Sequence, residues 1–552
     1  MNSSRARALF LLCLLAFGLI WFWGVGHRPL FTTDEGRYAE IPREMLVTGN
    51  WVTPRLNGLR YFEKPPLQYW ATAAAYAVFG VHDWTARLAT VIAGFLTVLA
   101  AGFAAARLYS RRTGWLAAAA LAGSFYFCFL GHFNTLDAVL CFAMSVNLFG
   151  FLLALHAPSR SRVELGWMLV SWAGAALAVL DKGLIGIILP GVVLVLYMIL
   201  KRDPGLLKRL RILPGLALFL AMVLPWFVAV SIANHDFLWQ FFMVQQFLRF
   251  LTPAQHRPGA WWYFIPLLVL AVVPWLVAAV RGLIGPIRRL VARGAFDSLV
   301  LLWLWIVVIF VFFSASHSKL PSYILPVIPA FAILIGRMLS RARVLPWAGA
   351  GISLVLGAAV VALGIAAPSL GLGKGGDPAA LHAFLPWVIA AGAVILAATV
   401  AATFYRRHAL GAIVCVAAAW LIAARLIMLG GAAFGPEYST RALVVAVARY
   451  NRPDAPVYSL DGYQQTLPFY LRRTVILVRY RGEMDFGIKH ARRPVSNRYL
   501  PSLADFAARW RKEAHALAFV PRDKLNKVAA LGIRYRIVAR SARWVALEPA
   551  HG

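Results

Sequence analysis

Long apolar runs, separated by short polar connections, fill the first 430 residues of the chain. A run of about 20 apolar residues is long enough to cross a bilayer as a helix. The pattern therefore predicts an α-helical polytopic membrane protein with about 13 transmembrane helices. The predicted spans are approximately 8–25, 84–107, 114–131, 136–155, 165–181, 184–200, 212–233, 262–281, 299–315, 321–338, 345–367, 384–404 and 409–430.

The composition supports this interpretation. Of the 552 residues, 61% are hydrophobic and 14% are charged, whereas soluble proteins average roughly 45–50% and about 25%. Trp21, Trp23, His27 and Arg28 stand where a signal peptide would carry small residues for cleavage, so the first run is expected to be retained as a span. The four cysteines lie inside apolar runs and form no CxxC pair, which predicts neither a zinc cage nor a disulfide framework.

The basic residues fall on one side of the predicted membrane. If the N-terminus is cytoplasmic, it and the alternate connections hold 21 Lys and Arg residues against few acids. This asymmetry satisfies the positive-inside rule, and the odd number of spans then places the C-terminus outside. The net charge of +33 is thus explained first by orientation in the membrane, and no nucleic-acid partner is expected.

The end of the chain changes character. Strand-like segments (PVYSL, TVILV, HALAFV, YRIVAR and WVALE) alternate with helix-like ones, which is typical of a small α/β domain. The predicted domains are a transmembrane domain at 1–430, with a large first outer loop at 26–83, and an outer α/β domain at 431–552. The latter holds 21 Lys and Arg and 9 Asp and Glu residues. This excess suits an anionic lipid or a polyanionic saccharide, or serves solubility alone.

The first outer loop opens with the segment TTDEGRYAEIPREM. Thr32 and Glu35 have the spacing of a capping box, which predicts the start of a helix and gives Glu35 a structural task. Asp34 has no such task, and Arg37 and Tyr38 follow about one turn later. Asp34 is therefore a candidate functional carboxylate, with a structural Asp at a helix start as the alternative.

Two further motifs bring carboxylates to the same side. In YFEKPPLQYW, Tyr61 and other aromatic residues suit the membrane interface, but an interfacial belt does not account for the adjacent Glu63 and Lys64. In GHFNTLDAVLC, Asp137 lies at the outer end of a span, where it is expected to approach Asp34 across one cavity. Stabilisation of a helix N-terminus is the alternative role for Asp137.

Three apolar segments carry cations near their outer ends. Lys182 lies in LDKGLIG, Arg249 lies in a long loop that also holds His256, and Lys319 precedes Tyr323 in SHSKLPSY. Each cation alone could extend to lipid head groups. Together they predict a positively charged outer cavity that faces a lipid phosphate.

Carboxylates and cations in one outer cavity fit a particular reaction. Charged groups cost roughly 2.5–3.5 kcal/mol each at the centre of a span, so they require a reason. An Asp can act as a base or stabilise an oxocarbenium-like centre, while Lys and Arg hold a departing phosphate. The residues therefore favour the transfer of a sugar from a lipid phosphate.

The motifs quoted above, with GNWVTPRLNGLRYFEKPPLQYW in full, closely resemble the bacterial 4-amino-4-deoxy-L-arabinose transferases that act on lipid A. These enzymes belong with the protein O-mannosyltransferase-like C-type glycosyltransferases, and the resemblance covers most of residues 1–340. It implies an enzyme of the bacterial inner membrane, active on the periplasmic face. The donor would be undecaprenyl phosphate-linked aminoarabinose and the acceptor a lipid A phosphate. Product lipid A would carry less negative charge, which implies resistance to polymyxin and other cationic antimicrobial peptides.

The resemblance also implies roles for individual residues. Asp34 and Asp137 would be the catalytic carboxylates, and the cations would receive the donor phosphate. Glu63 and His256 would bind a divalent metal, although no clustered His or Cys pattern supports this ligand set. No organic cofactor is expected. The substrate-binding residues predicted in this way are Arg37, Tyr38, Tyr61, Lys64, Lys182, Arg249, Lys319 and Tyr323.

Three alternatives stay open at this stage. The chain could move another sugar from a polyprenyl phosphate to a lipid, a glycan or a protein hydroxyl. It could instead transport a lipid-linked sugar, although transporters place charged groups near the membrane midplane and often have inverted repeats. A purely structural scaffold leaves the outer charges unexplained. The sequence sets no oligomeric state and is compatible with a monomer.

Overall fold

The structure of the protein is a computed structural model. It describes residues 3–248, 259–290, 296–370, 377–491 and 495–550. Two residues singled out from the sequence, Arg249 and His256, lie outside these ranges.

The helical part of the chain confirms a polytopic membrane fold. In the described ranges, nine helices are long and apolar enough to span a membrane, and a tenth span results if the pair Phe264–Val272 and Leu276–Ile287, bent by 112°, is counted as one. The nine are Asp83–Leu108, Leu136–His156, Arg162–Lys182, Ile212–Ala233, Ser298–Ala315, Pro321–Leu339, Trp347–Ala366, Pro378–Phe404 and Ala409–Tyr438.

The predicted number of 13 spans is not confirmed. Three of the predicted spans correspond to shorter pieces of helix. In helix Ser3–Phe22 the apolar stretch is limited to Phe10–Phe22, and helix Ile185–Lys201 has only 17 residues. The third predicted span is divided into two helices, Arg111–Ala122 and Phe125–Leu130. Ser124 begins the second of these pieces as an N-cap, with its side chain accepting a hydrogen bond from the Phe127 N–H.

Small residues let the central spans approach closely. Helix Leu136–His156 packs along Arg162–Lys182, and a methyl group on Gly174 would lie 2.4 Å from the backbone nitrogen of Asn147. A methyl group on Gly150 would lie 2.7 Å from the backbone nitrogen of Ser171. Glycine at these contacts lets two backbones pack together without bulky side chains between them, as is common in membrane helix pairs.

The first outer loop folds into its own elements between the spans. The first-loop helix, Asp34–Thr48, is followed by a hairpin of strands Arg55–Leu56 and Leu59–Arg60 and by helix Leu67–Phe79. The hairpin turn has Asn57 and Gly58 at positive φ, as a tight turn between antiparallel strands requires. Asn57 donates to the Val475 carbonyl oxygen and accepts from the Val475 N–H, both at 2.8 Å. The loop is therefore fastened to the C-terminal part of the chain.

The C-terminal part is an α/β domain, as predicted. The five predicted strands are present, and Tyr499–Leu500 adds a sixth. The three strand pairs that include Val457–Leu460 or Ile476–Val478 are parallel, and the two remaining pairs of the sheet are antiparallel. The order across the sheet is Tyr499–Leu500, Ile476–Val478, Val457–Leu460, Leu517–Pro521, Trp544–Pro549 and Tyr535–Arg540. The boundary between residues 430 and 431 stays a prediction.

Short helices complete the chain. The membrane part contains the short α-helix Leu206–Arg209 and the π-helix Trp239–Leu248. It also contains the 3-10 helix Pro321–Val327, which continues into Ile328–Leu339. In the C-terminal part they are Gly431–Phe434, Gly435–Tyr438, Arg441–Ala446, Ala448–Tyr450, Thr466–Leu471, Gly482–Met484, Asp485–Lys489, Leu503–Trp510, Arg522–Lys524 and Leu525–Ala529.

Candidate active site

Asp34 stands at the start of the first-loop helix. Its side chain is 39% exposed, and its Oδ1 lies 3.8 Å from Nη1 of Arg37, which is almost buried. The same Nη1 donates to the Tyr61 hydroxyl at 3.2 Å. Burial alone would lower the pKa of Arg37, but Tyr61, Tyr38, Glu63 and Asp34 raise it well above its usual range. A permanent cation therefore stands beside an accessible carboxylate.

The buried phenol of Tyr38 marks where the predicted residues meet. Its ring stacks on Tyr69, with 6.1 Å between ring centroids. Burial raises the pKa of Tyr38 well above its ordinary value, and the charges of Asp34, Glu63 and Asp137 raise it further. Because these carboxylates act on one phenol, the first loop and the span at Leu136 contribute to one site.

Glu35, next to Asp34, has a different task. Its carboxylate pairs with Arg28 at 2.6 Å and with Arg87 at 2.8 Å, and it accepts the backbone N–H of Phe31 at 2.9 Å and of Asn134 at 3.1 Å. The structural role predicted for Glu35 is thus present. The capping box predicted between Thr32 and Glu35 is wrong, because the N-cap is Thr33, which makes no side-chain cap hydrogen bond. The Thr32 hydroxyl donates to Gln465, and Glu35 pairs with two arginines instead.

Asp137 and Lys182 form a direct ion pair across two spans. The Lys182 ammonium also lies 5.1 Å from the centroid of the Tyr323 ring, which makes a cation–π contact. Three predicted site residues from separate parts of the chain therefore come together. His132, which belongs to the same GHFNTLDAVLC motif, makes its contacts elsewhere, because its ring nitrogens lie 2.7 Å from the carbonyl oxygens of Cys128 and Trp21.

Asp181 is a site residue that the sequence interpretation did not select. It is fully buried, and neither carboxylate oxygen has a hydrogen-bond partner among the described residues. Lys182, Asp137 and Lys64 are the charged groups that act on it. The LDKG segment contains Asp181 next to Lys182, which was a local signal for this residue. The sequence alone did not show that both adjacent side chains belong to the same site. Lys64 is thereby placed near the Asp137–Lys182 pair.

Lys319 is engaged elsewhere. Its ammonium donates to the carbonyl oxygens of Ser314 at 3.1 Å and Ser316 at 2.6 Å, at the end of helix Ser298–Ala315. These contacts satisfy carbonyl groups that the helix itself leaves unpaired. A substrate-binding role for Lys319 stays a prediction, and so does that of Arg249.

The metal site stays a prediction as well. Glu63 lies in the site, within the electrostatic neighbourhood of Arg37 and Tyr38, whereas its proposed partner His256 is not among the described residues. In the ranges that the structure covers, no group of three or more His, Cys, Asp or Glu side chains could hold a metal ion.

The C-terminal domain contributes residues that sequence reasoning missed. Glu483 lies 3.7 Å from Arg37 and accepts hydrogen bonds from the side chains of Gln465 and Tyr480, both at 2.6 Å. Gln465 in turn accepts from the Thr32 hydroxyl at 2.7 Å. The contacts with Arg37 and Thr32 join residues more than 400 positions apart, and no local motif near 465–483 indicates them.

The fold and the site define a class: a multi-span membrane protein whose charged, largely buried site lies between loops that connect the spans and an α/β domain. Family models match two parts of it. Residues 443–548 match the aminoarabinose transferase C-terminal domain, and residues 63–229 match the dolichyl-phosphate-mannose-protein mannosyltransferases.

Similarity to solved structures extends over the whole chain. The crystal structure of ArnT from Cupriavidus metallidurans bound to undecaprenyl phosphate matches with a TM-score of 0.91 and 32% identity, covering 100% of this chain and 99% of the other. The apo state of the same protein matches with a TM-score of 0.89 and 33% identity, covering 98% of both chains. The chain therefore belongs to the ArnT family of aminoarabinose transferases.

Sequence similarity to curated proteins supports the same family. An undecaprenyl phosphate-alpha-4-amino-4-deoxy-L-arabinose arabinosyl transferase from Pseudomonas aeruginosa is 37% identical over 338 residues, which is 60% of each chain. One from Shewanella sediminis is 33% identical over 346 residues, or 61% of this chain and 60% of the relative. The aligned region thus spans about 60% of the length of these relatives.

Proposed function

We propose that the protein transfers 4-amino-4-deoxy-L-arabinose from undecaprenyl phosphate to a phosphate of lipid A. One observation carries this proposal: Asp34, Arg37 and Asp137, which pairs with Lys182, all act on the buried phenol of Tyr38, in a fold that matches ArnT bound to undecaprenyl phosphate from end to end. The modified lipid A would carry less negative charge and bind polymyxin and other cationic peptides less well.

The cations would hold the donor phosphate. Arg37 presents a planar guanidinium that suits bidentate contact with a phosphate. Lys64 and Lys182 supply further charge, and Tyr61 and Tyr323 fix the positions of Arg37 and Lys182 through a hydrogen bond and a cation–π contact. As the sugar leaves, negative charge develops on the phosphate, and fixed cations stabilise it most at that stage.

Asp34 would act on the sugar or the acceptor. An acceptor phosphate is already anionic near pH 7, so removing a proton is a smaller task than for a sugar hydroxyl. Asp34 therefore orients the nucleophile or stabilises the positive charge that develops at the anomeric carbon. Asp137, paired with Lys182, would hold that lysine in place.

The orientation follows from the charge distribution. We place the protein in the bacterial inner membrane with its site and α/β domain in the periplasm, because the 21 basic residues of the N-terminus and the alternate predicted connections then face the cytoplasm. A C-terminal tag that is cleaved by protease in spheroplasts without lysis would support this orientation, and protection of the tag until lysis would contradict it.

The reaction is tested by mass spectrometry of lipid A from cells with and without the gene, together with purified protein supplied with donor and acceptor. Addition of one aminopentose to lipid A in both settings is the expected result. A different mass increment would indicate another sugar, and transfer to a protein hydroxyl another acceptor. Movement of the donor between leaflets without product would indicate a transporter.

The metal is proposed only at Glu63 and His256, and no catalytic step depends on it here. Metal analysis of the purified protein and of its Glu63→Gln variant tests this site. Stoichiometric divalent metal in the parent protein that is lost in the variant is expected. Equal metal content in both would remove Glu63 as a ligand.

A further inference from the structure

A second charged cluster lies next to the start of the first-loop helix, near the ends of two membrane helices. Arg28, Arg87 and Arg425 are 7%, 1% and 2% exposed. Arg425 belongs to helix Ala409–Gly430 and Arg87 to helix Asp83–Leu108, while Arg28 lies just before the first-loop helix. Buried charges in such positions are normally paired, because isolated charges are poorly solvated there.

The acids nearby do not balance these three cations. Glu35 pairs with both Arg28 and Arg87. Asp83 also acts on Arg87, but it forms its own ion pair with Arg441 at 3.0 Å. The charged side chain that acts on Arg425 is a cation, Arg87, and no described carboxylate forms an ion pair with Arg425. The cluster thus retains an excess of two positive charges.

Arg425 also retains an unused hydrogen-bond donor. Its terminal nitrogens contact the carbonyl oxygen of Trp23 and, at 3.6 Å, the sulfur of Met428. Its Nε is buried and has no partner among the described residues. A buried guanidinium nitrogen without an acceptor is unfavourable, so the site lacks a group that accepts a hydrogen bond.

A small cavity is present at this place. Its volume is about 10 Å³, and its polar lining consists of Arg28, Arg87, His132 and Arg425. That volume corresponds to about one water-sized probe, which is too little for a phosphate or a carboxylate-bearing metabolite. The remaining lining, Gly24, Val25, Met428 and Leu429, includes no acidic side chain.

We propose that this cavity binds a small monovalent anion of the halide class, with chloride as the expected occupant. A single spherical anion is far smaller than a phosphate and enters once the cavity widens beyond its water-sized volume. There it accepts a hydrogen bond from the Arg425 guanidinium and neutralises part of the excess charge. Water would satisfy the donor but would leave the charge as it is. The preference for an anion over water therefore follows from the charge count.

The anion would stabilise the segment that leads to Asp34. Arg87 donates to the carbonyl oxygens of Val25, Arg28 and Pro29 at 3.1, 2.7 and 2.9 Å, and Arg425 donates to that of Trp23. An occupant that reduces repulsion between these arginines would hold the backbone from Trp23 to Pro29 in place. Chloride is thus expected to stabilise the fold without contacting the substrate.

The direct test is anomalous diffraction from crystals of the full chain grown in bromide. We expect a bromide peak in the cavity beside Arg425, and no peak there in an Arg425→Met variant. Absence of the peak from the unaltered protein, or density that only water explains, would overturn the proposal.

A solution measurement complements the crystals. Thermal unfolding is followed at constant ionic strength while chloride replaces gluconate, an anion too large for the cavity. The unfolding temperature of the unaltered protein should rise along a saturating curve, and Arg425→Met should abolish this response. The matched control is Arg337→Met, which changes another membrane arginine, one that stacks on Tyr109, and should retain the response. An unchanged response in Arg425→Met would contradict the proposal, and if that variant does not fold, the bromide result decides.

Discussion

Both halves of the first-loop helix bury carboxylates, and Glu35 in the first half behaves in the opposite way to Glu44 in the second. At the N-terminal end, Glu35 is held between Arg28 and Arg87. Toward the C-terminal end, Arg43 binds Glu40 at 2.6 Å and acts on Glu44 only through its charge. Glu44 accepts the backbone N–H of Gly58 at 2.9 Å.

Both Glu35 and Glu44 are buried, so the difference in their charge states comes from their partners. Burial would raise the pKa of Glu35, but Arg28 and Arg87 lower it to about 2. For Glu44, burial and then the charge of Glu40 raise the pKa to about 8, and the hydrogen bond from Gly58 opposes this only in part. The active-site end of the helix is therefore a fixed ion cluster, whereas the other end holds a carboxyl that changes protonation near neutral pH.

The largest effect is expected from breaking the fixed end with Glu35→Gln. This change leaves Arg28 and Arg87 buried without their carboxylate, which costs about 3–5 kcal/mol. We expect a marked fall in the unfolding temperature of the detergent-purified protein. A variant as stable as the parent would show that the two arginines do not need Glu35.

Asp34→Asn sharpens the comparison at the adjacent position. Because the Asp34 side chain is 39% exposed, the fold should change by less than about 0.5 kcal/mol. Transfer of aminoarabinose by purified protein should fall by about 10²–10⁴-fold. Near-normal transfer by this variant would remove both roles proposed for Asp34.

The C-terminal end of the helix predicts a pH dependence. The folded protein binds the Glu44 proton more tightly than the unfolded chain does, so stability is lost as pH rises from about the ordinary value of 4.5 through about 8. The slope is at most about 1.4 kcal/mol per pH unit. Unfolding temperatures measured from pH 5 to about 9 should show this loss, and Glu44→Gln should flatten it. Equal slopes in the two proteins would assign the dependence to another group.

The smallest effect is expected from Arg441→Met. Arg441 pairs with Asp83 at 3.0 Å, but the arginine side chain is 51% exposed, and pairs of this kind contribute about 0–1 kcal/mol. Thermal unfolding in parallel with Glu35→Gln would compare an exposed pair with a buried one. A loss as large as that of Glu35→Gln would contradict the ranking.

Local patterns predicted much of the fold. Apolar runs gave the polytopic membrane class, and alternating segments gave the α/β domain with its five recognised strands. The predicted number of 13 spans is not confirmed, because apolar length does not distinguish a continuous helix from one divided at Ser124 or bent near Val273 and Pro274. The capping box failed because its spacing also fits a glutamate that serves distant arginines.

Local sequence patterns also predicted part of the site. Asp34, Arg37 and Lys182 stand in local motifs that combine charge with an outer position, and the structure brings them into one region. Glu483 and Gln465 could not be found in this way. They belong to a basic soluble domain where one glutamate or glutamine carries no local signal, and only tertiary contact with Arg37 and Thr32 reveals their place.

The two hydrogen bonds between Asn57 and Val475 have a practical consequence for chimeras. The amide of Asn57 uses both its donor and its acceptor on one residue 418 positions away. A shift of one residue at either side breaks both contacts. Exchanging the C-terminal α/β domain between family members will therefore require exchanging the hairpin that binds it. A chain truncated before the sheet will lose the alignment of the site, although it still contains the aspartates of that site.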